Sequence, residues 1–171
     1  MSDALNRLNR ISGYIELTAK VLIALTIIGM IFAFALMVVV ILNPDILPEV
    51  SGITAATTEE AITLGVTIIS GCVFGSITLY YLHRLFASIH KNNTPFVDEN
   101  VKCLEMIAIL VIAGSIAIPA ISWATAYILD AGYELIMAFS PPLLFVAFLI
   151  YFVSLIFKYG TVLQKESDAT L

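Results

Sequence analysis

Four stretches of the chain carry no charged side chain, and each is 22 to 24 residues long. They are Val21–Leu42, Ala61–Leu82, Met106–Leu129 and Leu135–Phe157. An α-helix rises about 1.5 Å per residue, so about 20 residues cross the hydrocarbon core of a bilayer. The pattern therefore predicts four transmembrane helices. The first stretch is longer than the apolar core of a signal peptide, so we expect it to be retained.

The composition supports an integral membrane protein. Of 171 residues, 60% are hydrophobic and 12% charged, whereas soluble domains average about half and about a quarter. We expect one all-α domain over residues 1–171, a membrane four-helix bundle with spans at about 21–42, 61–82, 106–129 and 137–158. A cytoplasmic helical hairpin at about 83–105 joins spans two and three. Cys72 and Cys103 lie at different depths, so both are predicted to be free thiols.

The distribution of charge predicts the orientation. All eight basic residues lie in the two tails and in the loop between spans two and three: Arg7, Arg10, Lys20, Arg84, Lys91, Lys102, Lys158 and Lys165. The other two loops hold six acids and no basic residue: Asp45, Glu49, Glu59, Glu60, Asp130 and Glu134. Because cytoplasmic loops are enriched in Lys and Arg, we expect a plasma-membrane protein with both termini in the cytoplasm. The cytoplasmic charge is nearly balanced, which argues against direct nucleic-acid binding.

The N-terminal tail has helical periodicity ahead of the first span. Leu5, Leu8, Ile11 and Ile15 recur at spacings of three and four residues, with arginines on other faces. We expect a separate helix that lies on the inner membrane surface as an anchor. A docking helix for a partner is the alternative.

Capping residues predict where two of the spans begin. Thr57 or Thr58 precedes span two and suits an N-cap position. Ser140-Pro141 indicates a helix start, with Ser140 as the cap and Pro141 at the first helical position. Residues 130–139 would then form a short helix at the outer interface, so the sequence leaves open whether span four starts near 135 or 141.

Small residues follow one face of span two and one face of span three. They are Gly71 and Gly75 in span two, and Ala113, Ala117, Ala120 and Ala124 in span three. Small residues let helices approach closely, so we expect helix packing at both places. Pro119 deprives the carbonyl of Ser115 of its helical donor and predicts a kink, which we interpret as a static bend rather than a hinge.

Span two also carries a stripe of hydroxyl side chains. They are Thr63, Thr67, Ser70, Thr78 and Tyr81, which project within about 80° on a helical wheel. Hydrogen bonds between packed helices are one interpretation, and a polar path for a substrate is the other. Because no ionisable group lies in the stripe, we favour packing.

The most distinctive segment runs from Tyr80 to Ile107 and joins spans two and three. Helical periodicity continues past the membrane edge, and Asn92-Asn93 ends that helix. A proline-containing turn follows, and Asp98 suits the cap of a helix that runs into span three. The pattern predicts a helical hairpin that projects from the membrane.

This segment resembles a family of small prokaryotic four-span membrane proteins known only as a domain of unknown function, with the shared core LxxLFxxIxxGxPFxxENVxxLxxI. The matching residues are Leu82, Leu85, Phe86, Ile89, Pro95, Phe96, Glu99, Asn100, Val101, Leu104 and Ile107. The glycine before the Pro-Phe turn is replaced by Asn92-Asn93-Thr94, and asparagine tolerates positive φ. Members are often encoded beside a small helix-turn-helix regulator, so the resemblance implies such a partner and no catalytic residue.

The hairpin tip is the candidate partner-binding site. Its candidate residues are Arg84, Phe86, His90, Pro95, Phe96, Glu99 and Asn100. Structural roles account for part of the motif without a ligand. Phe96 suits a hydrophobic clamp against Phe86 or the membrane surface, Glu99 is favoured in the first turn of a helix, and Asn100 suits a tie to the turn.

The sequence lacks the motifs of zinc proteases, P-loop enzymes, thioredoxin-like proteins and serine hydrolases. His83 and His90 are seven residues apart, too far along one helix to share a metal easily, so we expect both on a solvated or headgroup-facing surface. We therefore predict no catalytic residue, metal or cofactor.

Function remains open between two classes. We favour a non-enzymatic regulatory or interaction protein that engages a cytoplasmic partner through residues 82–105. The alternative is a small transporter, channel subunit or immunity-type membrane protector. The lipid bilayer and further copies of the chain complete the expected partners.

Overall fold

The computed structural model describes residues 2–44, 57–131 and 141–169, which form four helices and no strand. The helices are α1 (Ser2–Leu42), α2 (Thr58–Asn92), α3 (Asp98–Leu129) and α4 (Pro141–Ala169). Each is long and apolar enough to cross a membrane. The structure thus confirms an all-α, multi-pass membrane protein.

The described helix ends are set by capping groups and left-handed residues. Thr57 accepts a hydrogen bond from the Glu60 N–H at 3.3 Å, which confirms it as the cap of α2. Asn93 ends α2 and Asp130 ends α3, each with a positive φ, of 54° and 55°. Asparagine and aspartate are the non-glycine residues most often found in this conformation.

The predicted first residues of α3 and α4 have different outcomes in the structure. Val97 takes the cap position of α3, and Asp98 is the first helical residue, so the prediction of Asp98 as the cap is wrong by one residue. Its carboxylate still lies in the first turn, where the helix dipole favours negative charge. The described part of α4 starts at Pro141, so a helix start at Ser140-Pro141 stays a prediction. Ser140 and residues 132–139 of the short helix predicted over residues 130–139 lie outside the described residues.

Extensive packing occurs only between helices that are consecutive along the described chain, and each pair is antiparallel. On α1, Met37 contacts the Gly65 position and Thr26 hydrogen-bonds to Ser76 at 2.9 Å. Phe74, on the opposite side of α2, packs on Gly114 of α3. α1 and α3 therefore cover opposite faces of α2, and α1 and α4 are the two edge helices.

The N-terminal segment is part of α1 rather than a separate helix. α1 is continuous over 41 residues, about 60 Å. Ser12 and Ala19 are buried, whereas Ile11, on the face predicted to insert into the membrane surface, is 57% exposed. The predicted flat anchor helix is therefore wrong: the segment extends the line of the first span and packs on the end of α2 near His90.

The main buried apolar cluster lies at the end of the helices that carries the basic residues. It comprises Leu85, Ile89, Cys103 and Leu104, with Tyr81, Phe86, Ile150 and Phe157 packed against it. Most large apolar side chains along the uncharged stretches are exposed, as expected of side chains that face lipid. The cluster supports the turn between α2 and α3.

Candidate functional site

The turn between α2 and α3 is closed by a compact set of hydrogen bonds. The Thr94 hydroxyl accepts from the Phe96 N–H at 3.3 Å. The Pro95 carbonyl accepts from the Val97 N–H at 3.1 Å and from the Asn100 amide nitrogen Nδ2 at 2.9 Å. Asn100 is fully buried, so it holds the shape of the turn and does not lie on its surface.

The aromatic ring of Phe96 docks on α4. It meets the Phe157 ring edge-on, with centroids 5.7 Å apart and planes at 67°. It also contacts Gly160, where an added Cβ would clash with the ring carbons Cδ1 and Cε1. The ring remains 37% exposed. Phe96 therefore clamps the turn to α4, and a clamp against Phe86 or the membrane surface stays a prediction.

Two polar contacts extend this attachment. The Thr94 hydroxyl donates to the Gln164 side-chain oxygen at 3.2 Å, and the Lys165 ammonium donates to the Asp98 carboxylate at 2.8 Å. Both partners of the ion pair are about two-thirds exposed. The Lys165 hydrogen bond lowers the pKa of the Asp98 carboxyl, a group outside the uncharged stretches.

A second ion pair links the two helices of the hairpin. The Arg84 guanidinium donates to the Glu99 carboxylate, and each side chain is about half exposed. This hydrogen bond raises the pKa of Arg84, which lies outside the uncharged stretches. Exposed ion pairs of this kind add little to stability because solvent screens them, so this pair links α2 and α3 without stabilising them strongly.

The structure brings the predicted site residues to one end, but only some reach the surface. Arg84, His90, Phe96 and Glu99 are exposed, Phe86 and Pro95 are half-buried, and Asn100 is buried. Any effect of Asn100 on a partner would therefore act through the turn. Binding of a partner by these residues stays a prediction.

Both histidines lie near α1; His90 is exposed, which agrees with the solvated surface expected, whereas His83 is half-buried. A Cβ at Gly13 would lie 3.9 Å from His90, and the Glu16 carboxylate interacts electrostatically with His83 and His90. The His83 Nδ1 atom is buried without a hydrogen-bond partner. Among the described residues, no group of His, Cys, Asp and Glu has the arrangement of a metal site.

The hydroxyl stripe of α2 is satisfied within its own helix. Thr63, Thr67, Ser70 and Thr78 each donate to a backbone carbonyl three or four residues earlier, at 2.8–2.9 Å. The hydrogen bonds that these four hydroxyls donate therefore stay within α2. It is Ser76, on another face, that bonds to α1.

The small residues predicted to pack are mostly uncovered. A Cβ at Gly71 or Gly75 would meet nothing within 4 Å, and Ala120 and Ala124 are exposed. The small residues of α3 that are buried differ from those predicted. They are Ala108, Gly114, Ser115, Ser122 and Ala126. A partner helix against the alanine face, which also includes Ala113 and Ala117, stays a prediction. α3 remains one helix through Pro119, and a kink there stays a prediction.

Both cysteines are free thiols, as predicted. Cys103 is 2% exposed, and its burial raises the pKa of the thiol. A neutral, buried thiol reacts slowly, because the thiolate is the nucleophile.

The contribution of α4 to the site could not be found in the sequence. Gly160, Gln164 and Lys165 lie about 65 residues after the turn they hold. The one signal was Gly160, a glycine within an otherwise helical pattern, which is typical of a close approach.

These features define a multi-pass helical membrane protein whose hairpin turn is fixed to its last helix. The sequence profile of the DUF2975 family, proteins of unknown function, matches residues 45–171, which include α2, α3 and α4. The chain therefore belongs to this family, and the resemblance noted in the sequence is confirmed. No curated protein and no solved structure matches the chain.

Proposed function

We propose that this protein is a non-enzymatic interaction protein of the plasma membrane, and that the tip of the α2–α3 hairpin binds a cytoplasmic partner. The observation that carries the proposal is an exposed turn held in one conformation. Asn100 braces it from below and α4 holds it from the side, yet Phe96 keeps a third of its surface exposed. A preorganised turn binds a partner with little loss of conformational entropy.

The orientation in this proposal rests on charge. In the antiparallel arrangement, every Lys and Arg of the chain belongs to the end of the helices that carries the turn. Cytoplasmic segments are enriched in these residues. We therefore place the turn and both termini in the cytoplasm.

The partner that we favour is a small helix-turn-helix regulator, which the family resemblance suggests. The tip offers an aromatic ring beside groups of both charge signs: Arg84, Glu99, His90 and Lys91. An aromatic residue within a polar rim is typical of protein-binding surfaces. The alternative, solute transport along α2, is less well supported because the hydroxyls of its stripe bond to their own helix.

The test is capture of the tagged protein from its native membranes in mild detergent. We expect a soluble DNA-binding protein to co-purify with the wild-type chain and to be lost with Phe96→Ala. Phe34→Ala, an exposed ring on α1 far from the turn, is the matched control and should leave capture unchanged. Equal capture by Phe96→Ala would contradict the proposal. Recovery of membrane subunits alone would favour transport or protection, to be tested by liposome flux with Thr67→Val.

A further inference from the structure

The two edge helices each leave one long face uncovered. α1 packs extensively only on α2, and α4 only on α3. On α4, the inward positions Ala147, Ser154 and Thr161 are almost fully buried, at 0%, 0% and 3% exposure. The faces on the opposite sides of both helices are exposed. Lipid tails can cover these faces only within the hydrocarbon core of the bilayer.

The outer face of α1 carries a continuous stripe at alternating spacings of four and three residues. Its exposed members are Arg10, Tyr14, Leu17, Val21, Ala24, Ile28 and Ile31. Tyr14 lies six residues before Lys20, where the uncharged stretch ends, which is about 9 Å along the helix. Tyr14 is nevertheless 66% exposed and Leu17 61% exposed. The stripe therefore runs past the region that lipid tails cover.

The outer face of α4 carries a matching stripe. Its exposed members are Phe145, Phe148, Phe152, Leu155, Tyr159, Val162 and Glu166. Tyr159 follows Lys158, which ends the fourth uncharged stretch, and is 67% exposed. This stripe also passes the membrane boundary and ends in a charged side chain. Spacings of three and four residues on facing helices are those of coiled-coil packing.

The two stripes fit each other in one antiparallel register. With Arg10 beside Glu166, the pairs that follow are Tyr14 with Val162, Leu17 with Tyr159, Val21 with Leu155, Ala24 with Phe152, Ile28 with Phe148 and Ile31 with Phe145. The smallest residue of one stripe thus faces a phenylalanine of the other, and opposite charges meet at the end.

The membrane boundary provides an independent check on this register. Lys20 and Lys158 adjoin the ends of their uncharged stretches and should lie at the same depth. In the register set by Arg10 and Glu166, Lys20 lies opposite residue 156. Lys20 and Lys158 therefore differ in depth by two residues, about 3 Å. α1 and α4 also run in opposite directions through the bilayer, as the antiparallel contact requires.

We propose that the outer face of α1 binds the outer face of α4 from a second copy of this chain. Within one chain these helices are separated by α2 and α3. Pairing α1 with α1, or α4 with α4, would place Arg10 against Arg10 or Glu166 against Glu166, which is unfavourable. In the contact between α1 of one copy and α4 of the next, unlike charges meet. The two helices are antiparallel, as neighbouring helices are within one chain. This contact closes on itself when copies form a ring.

The test is disulfide cross-linking in native membranes, with Cys72→Ala and Cys103→Ala as background. Two differently tagged copies are co-expressed, one with Leu17→Cys and the other with Tyr159→Cys. We expect oxidation to join the two tags, because a disulfide requires Cα atoms within about 7 Å. The matched control pairs Leu17→Cys with Phe148→Cys, which lies on the same face but about 16 Å from register.

Charge reversal tests the register separately. Arg10→Glu or Glu166→Arg should each lower the cross-linking yield about two- to fivefold, and the double reversal should restore it. A mixed-tag disulfide that forms in register but not with Phe148→Cys supports the proposal. Equal yields from both pairs, no mixed-tag product, or a disulfide found only within single chains that carry both cysteines would each overturn it.

Discussion

The contact between Phe96 and Gly160 makes a sharp prediction about the substitution Gly160→Ala. Alanine is normally favoured over glycine inside a helix, by about 1 kcal/mol. Here the new Cβ would lie 2.4 and 2.6 Å from two ring carbons of Phe96, so the ring must leave its site. It would lose the edge-on contact with Phe157, worth about 0.5–1.5 kcal/mol, and buried apolar area worth about 1–2 kcal/mol. We expect a net loss of about 1–2 kcal/mol.

The assay is thermal unfolding of the purified protein in detergent. At about 2–4 °C per kcal/mol for a chain of this size, Gly160→Ala should lower Tm by about 2–8 °C. Gly75→Ala is the matched control, since its Cβ would meet nothing within 4 Å, and it should leave Tm unchanged or raise it. In a Phe96→Ala background the clash is absent, so Gly160→Ala should become neutral or stabilising. A rise in Tm on Gly160→Ala alone, or the same effect in both backgrounds, would refute the reasoning.

Three further predictions concern the hairpin turn and the orientation of the chain. Asn100→Ala should destabilise the protein by about 0.5–1.5 kcal/mol, measured as a fall in Tm, because the hydrogen bond from the fully buried Asn100 side chain to the Pro95 carbonyl is lost. The Tm advantage of the wild type over Asp98→Asn should be present at neutral pH. It should vanish as the pH falls through the lowered pKa of Asp98, below about 4, because Lys165 favours the charged carboxylate. A cysteine at Glu59 should react with an impermeant thiol reagent on intact cells and one at Lys91 only after permeabilisation; the reverse pattern would overturn the proposed orientation.

The fold class could be predicted from the sequence because it depends on one dominant effect. Uncharged stretches of this length are stable in the hydrocarbon core of a bilayer. Because the backbone groups there have no water to bind, they must form hydrogen bonds within a helix. Local signals were also reliable where one residue decides the outcome. Thr57, for example, caps α2.

The packing could not be predicted because apolar residues cover all faces of a membrane helix. Glycine and alanine spacing pointed to Gly71 and Ala124, yet α2 and α3 meet elsewhere, where Phe74 fits against Gly114. Which face is inward depends on pairs of side chains that are distant in sequence. The N-terminal segment illustrates the same limit, since its periodicity predicts a helix but not whether that helix bends away from the first span.

The buried apolar cluster around Leu85 lies where the helices meet water, because burial of apolar side chains is favourable only there. Within lipid, association of helices gains little from burying apolar side chains, because lipid tails are as apolar as leucine. Where the helices emerge from the bilayer, the hydrophobic effect returns. Leu85, Ile89 and Leu104 come together at that level, and Phe96 covers the next turn outward. The same reasoning applies to Tyr14 on α1. It lies at that level on a face that none of the described helices covers, so the hydrophobic effect favours its burial by a second copy.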